Sequence, residues 1–188
     1  MPEPEPERVL QPEPDWVGPR RGVRPGLSIQ RVLLCRIDDV LLQVSRFDVY
    51  RSGVEFDLEL FLRSGYEEVF GLPWDIHHHR GVGRGERGVP DDFLRFGVQL
   101  ADGQAWSNLT AGVGSLFDER PDSLVVLPRS GGGDGGHWQS RYWLWPLPAD
   151  GDIVFYAEWP SQNIAEISAT VDGDELRQRA AEAEILWS

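Results

Sequence analysis

The clearest signal in the chain is an alternation of period two. Val54, Phe56, Leu58, Leu60 and Leu62 alternate with Glu55, Asp57, Glu59, Phe61 and Arg63, which puts the aliphatic set on one face of a strand and the mostly charged set on the other. One apolar and one polar face mark an antiparallel strand buried on one side, since the centre of a parallel sheet is apolar on both. Leu94, Phe96, Val98 and Leu100 repeat the pattern. Leu27–Ile37 and Val40–Tyr50 are aliphatic, β-branched runs parted by Asp38-Asp39, a hairpin-turn signal. Ala101-Asp102-Gly103 turns the chain into Gln104–Leu109, and Leu124–Leu127 reads as a short buried strand closed by Pro128. Trp138–Leu147 is aromatic on both faces, with Trp138 and Tyr142 on one and Trp143 and Trp145 on the other. Ile153–Trp159 and Asn163–Val171 complete the predicted strands.

Only the C-terminus has helical periodicity. Asp172 or Asp174 can cap a helix whose first turn carries Glu175. Leu176, Ala180, Ala183 and Trp187 then recur every three to four residues, which predicts one helix over about 174–187. Short strands, turn signals between them and one terminal helix predict a mainly β protein. The expected architecture is an antiparallel β-sandwich, with immunoglobulin-like topology as one arrangement within that class. Residues 1–26 alternate Pro with Glu and then turn basic at Arg20, Arg21 and Arg24. Such a stretch buries almost nothing, so it is expected to be an unstructured leader before a domain at 27–188. Trp16 is the one leader residue with much to gain from docking, and the domain's own surface is the expected place.

Composition narrows the chemistry. All 18 basic residues are Arg, which fits a GC-rich genome and removes every lysine-dependent mechanism, from the Walker A lysine to the Schiff base. Cys35 is the only cysteine, so neither an internal disulfide nor a cysteine zinc site is available. The formal charge of −13 is concentrated after residue 150 and repels phosphate and anionic lipid, so neither nucleic acid nor membrane is an expected partner. No run of about 20 apolar residues exists. The N-terminal residues lack the basic and apolar regions of a secretion signal, so a cytoplasmic location is expected. The sequon Asn108-Leu109-Thr110 carries no weight there.

One block carries a resemblance. Gly131-Gly132-Gly133, Trp138, Trp143-Leu144-Trp145-Pro146-Leu147-Pro148 and Glu158-Trp159-Pro160, with the earlier Tyr50, Gly53 and Glu55-Phe56, resemble a family of uncharacterised proteins from GC-rich bacteria. The resemblance covers the core from about 27 to 187 and implies a recurring compact domain; that family has no assigned activity to carry over.

The candidate sites lie in two loops and one strand. About 30 residues separate Arg63 from Leu94, against about 4–6 in ordinary connections. They hold Trp74-Asp75-Ile76-His77-His78-His79-Arg80 and a Gly/Arg stretch with Arg84 and Arg87. In extended backbone His77 and His79 share a face with Asp75, a possible divalent-metal arrangement to which His137 can add a distant imidazole. The cupin pattern fails, because Val82, Gly83 and Arg84 stand where its glutamate belongs. Arg80, Arg84 and Arg87 among glycines can cradle an anion. Gly131–Gly136 is expected to be a flexible hairpin connection. Trp143 and Trp145 form an aromatic strip, either an exposed partner or sugar-stacking surface or, once covered, a second small core. Glu55, Asp57 and Glu59 read as a solvated face. No Gly-x-Ser-x-Gly, His-Glu-x-x-His or Cys–His template is present, and carboxylate pairs such as Asp91-Asp92 fall at turns. The expectation is therefore a non-enzymatic protein-binding module without a cofactor, using Trp74, Arg80, Arg84, Trp143 and Trp145. The alternatives are a metal-dependent enzyme or sensor at His77 and His79, and a glycan-binding module.

Overall fold

A computed structural model describes residues 13–37, 39–63, 89, 91, 93–109, 119–134 and 136–187. Its strands are β1 (Val23–Arg24), β2 (Gly26–Ser28), β3 (Val32–Ile37), β4 (Val40–Val49), β5 (Val54–Leu62), β6 (Arg95–Leu100), β7 (Ala105–Ser107), β8 (Val125–Asp134), β9 (His137–Trp145), β10 (Ile153–Trp159), β11 (Ile164–Val171) and β12 (Glu184–Ile185). The helix α1 spans Gly173–Ala181. The strands form an antiparallel sandwich. One sheet runs β2-β4-β5-β9-β8, with β3 also on β4, and the other β11-β10-β6-β7.

The period-two patterns decide which side chains meet. Val54, Phe56, Leu58 and Leu60 of β5 are fully buried, as are Leu94 and Ile153. Phe56 packs edge-on against Phe155 across the two sheets at 5.0 Å and stacks on Tyr142 at 5.5 Å. Trp106 closes the same cluster against Tyr142 at 6.1 Å. Each such pair contributes about 0.5–1.5 kcal/mol beyond the area it buries. Burial pushes the Tyr142 hydroxyl up to about 12 despite the hydrogen bond to Ser140, so it stays neutral. Asn108 is also buried: it accepts from the Phe96 N–H and donates to the Leu94 carbonyl, both at 2.8 Å, so the sequon asparagine braces β6.

Several expected boundaries move, each for a physical reason. The run 27–37 splits into β2 and β3, and β4 makes an irregularity between Ser45 and Asp48 where Arg46 takes a left-handed φ of 56°. Pro128 does not end its strand. β8 lies at a sheet edge, where a missing N–H removes no ladder bond, and a register shift between Pro128 and Ser130 carries the chain onward. The glycines expected in a flexible connection are thus paired strand: Gly131, Gly132 and Gly133 face Ser140, Gln139 and Trp138.

The helix is shorter than its periodicity implied. The Asp172 side chain caps it by accepting from the Glu175 N–H, while Leu176 and Ala180 enter the main core. After Ala181 the chain turns out to pair β12 with β1, and the Leu186 N–H donates to the Gly22 carbonyl at 2.8 Å. Trp187, expected on the buried helical face, is 75% exposed. The N-terminal segment is consequently part of the folded body from Glu13 onward, with Val17 buried. Residues 1–12, most of the Pro/Glu run, lie outside the described residues.

Candidate functional site

The outer face of the β5–β9 pair is where polar side chains concentrate. Register sets Glu55 opposite Trp143, Asp57 opposite Arg141 and Glu59 opposite Gln139. The expected solvated face is in fact closed: Asp57 is 1% exposed, and Glu59 is buried too. Long guanidinium side chains lie over the carboxylates. Arg141 donates from Nε to Asp57 Oδ1 at 2.8 Å and from Nη1 to Asp48 Oδ2 at 2.9 Å, and Arg46 Nε reaches Asp57 Oδ2 at 3.3 Å. Burial, helped by the Asp48 and Asp57 carboxylates, pushes Glu55 up against the pull of Arg141 and Arg129.

Glu59 is held differently. Its Oε2 accepts from Gln43 Nε2 at 2.8 Å and from the Ser45 hydroxyl, and its Oε1 lies 3.4 Å from His137 Nε2. Burial pushes the carboxyl up, but the hydrogen bonds from Ser45 and Gln43 and the adjacent imidazole outweigh it and hold Glu59 below the usual carboxylate range. A depressed folded value means that Glu59 contributes stability above the ordinary glutamate range, lost as pH falls through the folded value. Glu59→Gln should therefore flatten the acid limb of stability against pH, checked by urea midpoints from neutral pH downward. An unchanged limb would show that Glu59 is not coupled to folding.

His137 stands at the end of this row. Its ring stacks on Phe61 at 4.2 Å, with an interplanar angle of 11°. Beside it lies an open recess of about 530 Å³ lined by Ser130, Gly131, Gly132, Gly133, His137 and Gln139. The floor is backbone, and a Cβ placed on Gly132 would meet nothing within 4 Å. β8 forms one edge of its sheet, with no further strand paired to it among the described residues. Alternate residues of an edge strand turn their N–H and C=O away from the sheet, so the outward groups of this run have no strand partner among the described residues.

The Trp strip is closed over. Trp143 is fully buried and Trp145 nearly so, in a small core with Tyr50, Val125 and the partly buried Trp16, Val23 and Leu127. The Trp143 indole N–H donates to the Asp15 carbonyl at 3.1 Å, Trp16 meets Trp145 edge-on at 6.2 Å, and Arg129 donates to the Val17 carbonyl at 2.9 Å. Neither Trp143 nor Trp145 offers an open ring face, so the exposed-strip expectation is corrected: both belong to a second small core. Trp74, Arg80, Arg84, His77 and His79 lie outside the described residues. Among the described residues no group of three His, Cys, Asp or Glu side chains could hold a metal ion, and His137 Nε2 lies 3.4 Å from Glu59 Oε1. Burial pushes the Cys35 thiol up, which opposes a nucleophilic thiolate.

Sequence reasoning did not join Glu59 to His137, because only the β5–β9 register brings them together. The one available signal was the glycine cluster, which marks a backbone open to close approach. No helix among the described residues is long and apolar enough to cross a membrane. No protein-family model matches the chain, and neither a curated protein nor a solved structure does.

Proposed function

We propose that this chain is a non-enzymatic protein-binding module that adds an extended segment of a partner protein to the free edge of β8. The observation that carries this reading is the glycine edge itself. Sheet edges are normally blunted by charge, proline or bulges to prevent unwanted pairing. Pro128 and the register shift after it blunt the first half of β8. Ser130-Gly131-Gly132-Gly133, beyond the shift, carries none of these protections. A guest strand here gains main-chain hydrogen bonds, and its inward side chain settles in the recess beside His137 and Gln139. Missing side chains on the host leave room for a bulky guest residue, which covers glycine well in cross-strand pairs. A cytoplasmic setting belongs to the same reading, supported by the single, buried, unpaired thiol of Cys35.

Selection of a displayed random-peptide library on the domain supplies the test. Bound peptides should shift the amide resonances of residues 130–134 more than those of β11, the edge of the opposite sheet. Gly131→Pro and Gly132→Pro separate the two backbone directions. The outward-facing position should lose at least tenfold in peptide affinity with the fold kept; the inward-facing one should lose stability. Strong exchange protection of every amide in 130–134 in the free protein would show the edge already paired and would sink the reading.

A further inference from the structure

A second cavity lies away from the glycine edge, where three segments meet. It measures about 160 Å³ and is lined by Asp15, Arg20 and Val23 of the N-terminal segment, by Tyr50, Arg51 and Ser52 of the β4–β5 turn, and by Ala183 and Ile185 of the C-terminal segment. Its walls are apolar: the Tyr50 ring, itself set edge-on to Trp143 at 5.7 Å, with Val23, Ala183 and Ile185. A cavity of about 150 Å³ holds one benzene molecule, so the space fits a ring or a branched chain of four to five carbons. Arg20 and Arg51 supply two guanidinium side chains to this lining. Nine of the fourteen described arginines are ion-paired; Arg20 and Arg51, like Arg31, Arg36 and Arg120, have no ion pair among the described residues. With Asp15 the charged lining sums to one positive charge, on a chain of net charge −13.

We infer that this cavity binds a small apolar carboxylate, with the hydrocarbon part against Tyr50, Val23 and Ile185 and the carboxylate on Arg20 and Arg51. Guanidinium forks match a carboxylate in two hydrogen bonds and discriminate it from a neutral amide. The same chemistry is offered by a free acid and by the last residue of a peptide chain. Either ligand touches all three segments at once, so binding ties the β1–β12 ribbon to the body of the domain. The site is independent of strand addition at β8.

The experiment titrates the full chain with benzoate, with isovalerate, and with acetyl-Gly-Gly-Leu as the free acid and as its amide. Binding is read by calorimetry and by amide exchange at Val23 and Ile185. At least one acid should bind one-to-one and slow exchange at both amides, while the tripeptide amide should bind at least tenfold more weakly than its acid. Tighter binding of benzoate or isovalerate than of the tripeptide acid identifies a free small acid as the ligand class; the reverse identifies a chain terminus. Arg20→Gln and Arg51→Gln change exposed side chains and should each weaken binding at least fivefold with unchanged circular dichroism, whereas Asp15→Asn should tighten it. Absence of saturable binding by all three acids, equal binding of acid and amide, or unaltered affinity in both arginine variants overturns the assignment.

Discussion

Arg141→Met should destabilise the domain by about 3 kcal/mol, among the largest losses available to a single polar substitution here. Asp57 lies buried on the outer face of β5 and takes its shortest hydrogen bond, at 2.8 Å, from Arg141 Nε. Removing one partner of a buried pair leaves a charge without compensation, which typically costs about 3–5 kcal/mol. The lower end applies because Arg46 stays 3.3 Å from Asp57, although its own side chain is largely exposed and screened. Glu55 and Asp48 also lose an attractive neighbour. For a domain of this size the change lowers Tm by about 6–12 °C. Asp57→Leu combined with Arg141→Met should recover most of the loss, since apolar replacement of both partners is often neutral or better. A double variant no more stable than Arg141→Met alone would show that the arginine acts through packing rather than charge.

That pair also shows how far the chain could be read before folding. The inward set of β5 was legible because a period of two is a local property of Val54–Leu62. The fate of the outward set was not, because Asp57 is covered by Arg141, which the β5–β9 register places beside it, and by Arg46 at the β4 irregularity. The same limit explains β8. Pro128 ends a central strand but not an edge strand, and edge status is a property of strand order, which no local pattern encodes. The helix start was legible from Asp172 and Glu175. Its end was not, because Ala183 and Trp187 continue the helical spacing while the backbone of 184–185 pairs with β1 instead. The tryptophan strip had two readings, and the one with the strip covered is what the packing of Trp16 and Val23 produces.

Trp143→Ala is expected to cost about 3–5 kcal/mol, and the way it does so separates a core residue from a surface one. A tryptophan kept for partner contact can be truncated with little change in Tm, because its free state is already solvated. Trp143 is fully buried, contacts the Tyr50 ring edge-on at 5.7 Å and uses its indole N–H on the Asp15 carbonyl. Truncation therefore leaves a cavity and at the same time unties the N-terminal segment that covers it. Trp16→Ala is the control, since Trp16 is only partly buried and sits on the rim of that small core. It should lower Tm by a smaller amount, yet loosen the cover enough for trypsin to reach the Arg20-Arg21 bonds faster. Trp143→Ala should show both effects together, a large fall in Tm and rapid cleavage at those arginines. If Trp143→Ala kept the wild-type Tm, the strip would be a surface after all. If Trp16→Ala left cleavage unchanged, the contact at 6.2 Å between Trp16 and Trp145 would not be what holds the segment down; that role would pass to the β1–β12 ribbon and the Arg129 bond to Val17.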